Sequence, residues 1–334
     1  MRRRNNRPAA SPPARLRRWG WALGVGAVLL AGTALAAQQV RQQKKGDEFT
    51  LSVDVDLVVL HTTVVDGGGR PVPNLPSERF KVFEDNVEQK LALFGDEDVP
   101  VTVGLVVDNS ASMTDKRKEM MAGALAFVET SNPLDEMFVV NFNDDYYLDL
   151  EGKDFTNDIS ELKEALDKTN TRGSTSFYDA IRASLQHLKR GTRQKKVLLI
   201  ISDGVDNTSL SDFPTLLRDA QQGEAALYLV GLPCSEDSKQ DCRRAKRVIR
   251  KLAEVTGGMA YFPTSIEQVQ ALCQQISHDI RHQYVLGYYP SNRARDGGFR
   301  SVRVEVDPPK GYRKLVARTR PGYYAPSASP AGSQ

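Results

Sequence analysis

Five oxygen-bearing side chains have the types and spacing to do chemistry together. Asp108, Ser110 and Ser112 alternate in Asp108-Asn109-Ser110-Ala111-Ser112, directly after the largely apolar run 101–107 (VTVGLVV). Thr175 closes Gly173-Ser174-Thr175 just ahead of a helical pattern. Asp203 stands between Ser202 and Gly204 at the end of a second apolar run, 196–202 (KVLLIIS). The set offers carboxylate and hydroxyl oxygens, with no sulfur or imidazole. Such donors suit a small hard cation, Mg²⁺ or Mn²⁺ in preference to Ca²⁺. Two serines one residue apart can reach one ion from a tight turn, and two aspartates match its charge. Where an aspartate acts through water the ion stays under-neutralised. A vacant position then attracts an outside oxygen, most naturally an Asp or Glu carboxylate of a protein partner.

Each residue also has a plainer reading. Asp108 and the serines alone are ordinary helix caps; Thr175 and Asp203, at matching places in the chain, favour the metal. Asp206 and Asn207 are expected to shape the turn after Asp203, and Asp144 and Asp145 to form a solvated turn. Asp179 is expected to accept a hydrogen bond behind the site or to act as a first-turn helix charge. His278 and His282 stand one helical turn apart, a zinc-compatible spacing, but have no third ligand and read as a solvated face. The tyrosines of the C-terminal part read as strand packing. No Gly-x-Ser-x-Gly elbow or phosphate-cradling loop occurs, and no general base stands beside the five residues, so no enzymatic activity is expected. A metal that activates water is the weak hydrolytic alternative; a metal that only stiffens an envelope protein is the structural one.

These residues need strands and loops to bring them together. Runs 101–107 and 196–202 have the continuous apolar character of strands buried on both faces of a parallel sheet. Further strands are expected at 137–142, 146–150, 226–232 and 258–262, and helices at 116–130, 158–168, 176–189, 212–221, 243–256 and 266–281. This alternation predicts a doubly wound, mostly parallel α/β sheet. Its carboxyl edge gathers the strand-to-helix connections, and the five residues lie on such connections. On either side the chain is β-rich. Residues 51–65 alternate; 80–83 and 87–94 read as a hairpin closed by Glu84-Asp85-Asn86, with Asn86 left-handed. After the α/β region, 283–289, 300–307 and 314–319 read as strands.

Asp-x-Ser-x-Ser, a distant Thr and a later Asp-Gly resemble the metal-ion-dependent adhesion site of von Willebrand factor type A domains and integrin inserted domains. The resemblance covers roughly residues 101–280. It implies that Asp108, Ser110, Ser112, Thr175 and Asp203 are metal ligands, the hydroxyls binding directly and the aspartates directly or through water. Ala111 and Ser174 stand where the family usually has Gly; both are small. The wider chain resembles the acidobacterial-type VWFA-related proteins of the bacterial envelope. That likeness rests on Phe80-Lys81-Val82-Phe83-Glu84-Asp85, Thr175-Ser176-Phe177-Tyr178-Asp179-Ala180, Ser202-Asp203-Gly204, Gln283-Tyr284-Val285-Leu286-Gly287-Tyr288 and Gly322-Tyr323-Tyr324.

The expected organisation runs from a basic cytoplasmic n-region (1–18) and a signal peptide or signal anchor (19–37) through a linker (38–48). A β segment (49–98), the α/β domain (99–282), a second β segment packing with the first as a small immunoglobulin-like sandwich (283–324) and a disordered tail (325–334) follow. The net charge of +3 is misleading: the first 18 residues hold seven arginines and no acid, which leaves −4 for the rest. Nothing in that remainder argues for nucleic acid. The uncharged run 19–37 ends in Ala34-Leu35-Ala36, so it fits a cleaved export signal, and it is nearly long enough for a single membrane anchor. Both place the remainder outside the cytoplasm, whether periplasmic, secreted or anchored. There, Cys234 and Cys242, which bracket a polar loop, are expected to form a local disulfide, with Cys273 a buried thiol. The sequence thus leads to a metal-dependent protein-binding module for adhesion or envelope assembly.

Overall fold

The computed structural model describes residues 57–96, 98–234 and 239–327. The basic start, the apolar run 19–37, the linker and the first residues of the expected strand 51–65 lie outside them. Among the described residues no helix is long and apolar enough to cross a membrane. The first four strands are β1 (Val58–Val65), β2 (Phe80–Glu84), β3 (Val87–Gln89) and β4 (Leu91–Gly95). The α/β region follows with β5 (Val101–Asp108), α1 (Arg117–Thr130), β6 (Glu136–Phe142), β7 (Tyr146–Leu148), α2 (Ile159–Asp167) and α3 (Phe177–Leu188). It continues with β8 (Lys195–Ser202), α4 (Phe213–Gln222), β9 (Ala226–Gly231), α5 (Lys239–Thr256), β10 (Met259–Tyr261) and α6 (Val269–Arg281). The chain closes with β11 (Tyr284–Tyr288), β12 (Phe299–Val306), β13 (Val316–Arg318) and β14 (Gly322–Tyr324).

The central sheet has the order β10-β9-β8-β5-β6-β7. All neighbours are parallel except the edge strand β7. Alternate residues of β5 feed opposite faces. Val103, Leu105 and Val107 pack with α1, α2 and α6. Val106 packs in the core that α3, α4 and α5 cover. This two-sided burial is why β5 and β8 read as unbroken apolar runs. At Gly104 a Cβ would stand 2.4 Å from Phe138 Cζ and 2.5 Å from Leu198 Cδ2, so the ring uses the space a side chain would need. Helix starts follow local chemistry. Asp158 accepts hydrogen bonds from the Ser160 and Glu161 amides. Asp212 accepts one from the Thr215 amide, with Pro214 in the first turn, where its missing N–H costs nothing.

The remaining strands form two antiparallel sheets, β13-β1-β11-β4 and β14-β12-β2-β3. Each mixes strands from before and after the α/β region. Both contribute to one apolar cluster, Leu60, Val64, Tyr284 and Leu286 from the first and Phe80, Val82, Val302 and Val304 from the second. The expected strand 87–94 is divided at Lys90. β3 pairs with β2, whereas β4 pairs with β11 in the other sheet. A continuous apolar pattern cannot show a chain changing sheets. The β2–β3 turn has both Asp85 (φ 47) and Asn86 (φ 66) left-handed, one more than expected, as a two-residue hairpin turn requires. β14 was not among the expected strands; it pairs with the start of β12. Ser327 bridges Asp296, so the first residues of the expected disordered tail are paired.

Buried polar groups lock the two sheets together. The Tyr284 hydroxyl donates to Val72 O (2.7 Å) and accepts from Leu75 N (2.8 Å). The Glu84 carboxyl group is buried and accepts hydrogen bonds from Tyr288 and Tyr323, each 2.8 Å. Burial first, then the neighbouring carboxyl group, raises both phenols, so they remain donors. Tyr288→Phe removes one of the two donors and is expected to cost about 1–3 kcal/mol. The measurement is a fall in denaturant midpoint at unchanged slope.

Candidate metal centre

The sheet order places the five residues. From β5 the chain steps to β6 on one side and later to β8 on the other. Connections leaving β5 and β8 therefore diverge at their carboxyl ends, which opens a crevice between these paired strands. Asp108 ends β5, and Asp203 follows the last residue of β8.

Asp108 is fully buried. Its Oδ1 accepts from Ser110 N (2.9 Å) and its Oδ2 from Ser202 Oγ (2.6 Å). Ser110 Oγ and Ser112 Oγ lie 3.2 Å apart, and Ser112 Oγ donates to Asp203 Oδ2 at 3.1 Å. Asp203 Oδ1 accepts from Val205 N at 3.1 Å. Four of the five residues thus share one hydrogen-bonded patch. Thr175 reaches it through its loop. Gly173 O accepts from Ala111 N (3.1 Å), and Arg172 N donates to Asn109 O (2.9 Å), which seats the loop on the serine turn. On the other side Thr175 N donates to Asn207 Oδ1 (2.8 Å), and Thr175 O accepts from Asn207 N (3.1 Å) and Thr208 N (3.2 Å). Among the described residues no hydrogen bond joins Thr175 directly to the other four.

Burial, and then the charge of Asp203, push the Asp108 carboxyl up to about 6, while hydrogen bonds from Ser110 and Ser202 act the other way. Among the described residues no group of three or more His, Cys, Asp or Glu side chains is placed to hold a metal ion. The hydroxyls must then complete any ligand set. Two buried acids close enough to repel, beside hydroxyl oxygens, are a donor set that a hard divalent cation fits.

Several positioning residues were not legible beforehand as such. Asp144, expected in a solvated turn, accepts from Ser174 N at 2.7 Å. Asn207 does more than shape its own turn, because it holds Thr175. Asn109 Nδ2 donates to Asn141 Oδ1 (2.8 Å), and Arg117 donates to Asn109 Oδ1 (2.9 Å), which fixes the residue between Asp108 and Ser110. Asp179, by contrast, was expected as a hydrogen-bond acceptor and is one: it accepts from the Leu210 (2.6 Å) and Ser211 (3.1 Å) amides and ties down the loop beyond Asp203. Asp206 accepts from Tyr178 N (3.2 Å). The signal available was only that small polar residues cluster on these loops.

Cys234 and Cys242 stand as thiols rather than as the expected disulfide. Their side chains are hydrogen-bond neighbours; burial and then Cys242 push the Cys234 thiol up to about 12. Cys273 is a buried thiol. The His278 and His282 rings stack with centroids 3.9 Å apart, and His282 Nδ1 lies 2.7 Å from His278 O, which accounts for this pair without a metal.

Gly173 has φ +70, and a Cβ there would fall 1.9 Å from Asp144 Oδ2. Gly173→Ala is expected to cost about 1–2 kcal/mol in denaturant unfolding, because the left-handed backbone and the displaced carboxylate both resist it. It should also speed hydrogen exchange at the Ser174 amide, which loses its acceptor.

The von Willebrand factor type A domain family matches residues 103–205. No curated protein matches the chain. Among solved structures, a von Willebrand factor type A protein from Catenulispora acidiphila is 12% identical with a TM-score of 0.49, over 80% of this chain and 73% of that one. The von Willebrand domain of the type V pili tip protein Mfa5 from Porphyromonas gingivalis is 12% identical with a TM-score of 0.47, over 55% and 95%. The pilus adhesin SpaC from Lactobacillus rhamnosus GG in its open conformation is 11% identical with a TM-score of 0.46, over 76% and 49%. With the match at 103–205 spanning β5 to β8 and both aspartates of the site, the chain carries a von Willebrand factor type A domain.

Proposed function

We propose that the chain is a metal-dependent protein-binding module of the cell envelope, exported by its N-terminal segment. Asp108, Ser110, Ser112, Thr175 and Asp203 hold one Mg²⁺ or Mn²⁺. The two antiparallel sheets act as one immunoglobulin-like unit into which the α/β domain is inserted. The observation that carries this reading is the convergence of Asp108, Ser110, Ser112 and Asp203 on one patch, with the Thr175 loop clamped against it.

The bound ion would supply an open position for a carboxylate oxygen of a partner. The chain's own residues do the positioning. Ser110 N and Ser202 Oγ fix both oxygens of Asp108, and Asn207 holds the Thr175 backbone. Such prior fixing spares the ordering cost on binding.

The test is titration of Mg²⁺ and Mn²⁺ into the full chain and an Asp108→Asn variant, read by heat and by unfolding. The wild type should take one ion and gain about 2.7 kcal/mol at a hundredfold excess over Kd. Asp108→Asn should lose that gain, and without metal should be at least as stable as the wild type, since a buried acid facing Asp203 has gone. An equal gain in both proteins rejects the ligand set. Retention of envelope proteins that EDTA reverses supports docking; retention indifferent to metal leaves only a stabilising ion.

A further inference from the structure

A cleft of about 660 Å³ lies between the start of β8 and the β1–β11 sheet, at the end of β8 away from Asp203. Its size falls in the range of small-molecule sites, roughly 300–1,000 Å³. Arg193, Lys195 and Lys196 line it from the α/β side; His61, Gln283 and Arg320 line it from the other. The only acid among its lining residues is Glu224.

The four cations spend their hydrogen bonds on backbone carbonyls. Arg193 donates to Leu134 O (2.8 Å), Lys196 to Gly191 O (3.2 Å), Arg320 to Val59 O (3.2 Å), and Lys195 to Ile280 O. Such bonds satisfy the donors without forming an ion pair. Glu224 acts on Arg320, and Asp135 and Asp98 act on Lys195, through space rather than through a hydrogen bond. Lys195 is only 3% exposed, and its burial brings the ammonium down to about 7. Burial, Lys195 and Arg320 together hold His61 down at about 3, which shows these groups crowding one place and leaves the imidazole neutral.

A second observation is independent of charge. Arg193 Nε, Arg320 Nε, His61 Nδ1 and Gln283 Oε1 are buried and take no hydrogen bond. Gln283 is 1% exposed and is held by its Nε2 on Thr63 and Tyr228, so its free atom is fixed in place. Unpaired buried polar atoms are rare and costly; the two Nε–H groups are donors that an anion's oxygens can take, whereas Gln283 Oε1 can only accept and calls for a donor. Two of them are guanidinium N–H groups, which match the planar, multidentate geometry of carboxylate and phosphate.

We infer that this cleft, remote from the metal centre, binds a small polyvalent oxyanion, the shared chemistry being that of a phosphorylated or polycarboxylate solute. Oxygens of the ligand take the Arg193 and Arg320 N–H groups, and its charge compensates Lys195 and Lys196.

The experiment is calorimetric titration of pyrophosphate and of citrate into the full, metal-free chain at ionic strength matched with chloride. Saturation at one anion per chain is expected for at least one probe, and the tighter of the two identifies the phosphate or the carboxylate source. Arg193→Gln and Lys196→Gln, at the half-buried side of the cleft, should each weaken binding about tenfold or more. Lys163→Gln, exposed on α2, should leave it unchanged, and circular dichroism confirms that each variant folds. Should neither probe saturate, or should all three variants bind like the wild type, the proposal is overturned.

Discussion

The arrangement depends on an acid buried at the end of a central strand. Asp108 sits where β5 stops between β6 and β8, with no exposed surface. A carboxyl group in that position must be hydrogen-bonded on every oxygen or compensated by a cation. Much of the nearby loop structure follows from this demand. The Ser110 amide folds back onto Asp108, which sets the serine turn, and Ser202 turns inward from β8 to meet its other oxygen. Asp203 then lies beside the serines because it follows Ser202. The doubly wound order makes this possible, since β5 and β8 are adjacent parallel strands that send their connections to opposite faces.

The loop carrying Thr175 obeys a different constraint. It has no strand partner and is placed by polar side chains from both neighbours, Asp144 on one side and Asn207 on the other. Gly173 permits the left-handed turn that lets the Asp144 carboxylate approach.

The antiparallel sheets attach at the other end of the parallel sheet. Each takes strands from before and after the α/β region, so neither segment completes a sheet without the other. The junction is close: at Gly257, just past α5, a Cβ would stand 2.3 Å from Arg320 N. Gln283, between α6 and β11, bonds both Thr63 and Tyr228 and so bridges the two parts. Packing two finished surfaces edge to edge leaves a cleft, and the cations gathered there come from the start of β8 and from the strand-to-strand connection before β14.

By itself the sequence determined most of the elements and named the residues of the candidate centre. VTVGLVV and KVLLIIS are almost continuously apolar because both faces of those strands are covered, and that information is local. Asp108, Ser110 and Ser112 are neighbours along the chain, so their proximity needed no fold. Only the tertiary structure decided which loops clamp Thr175, that the chain changes sheets at Lys90, that Cys234 and Cys242 meet as thiols, and that Arg193 and Arg320 face one cleft. The reason is physical. Periodicity and propensity report the burial of a segment against an unspecified neighbour, whereas a hydrogen bond from Thr175 to Asn207, or a charge shared across a junction, depends on which surfaces meet after the chain has closed on itself.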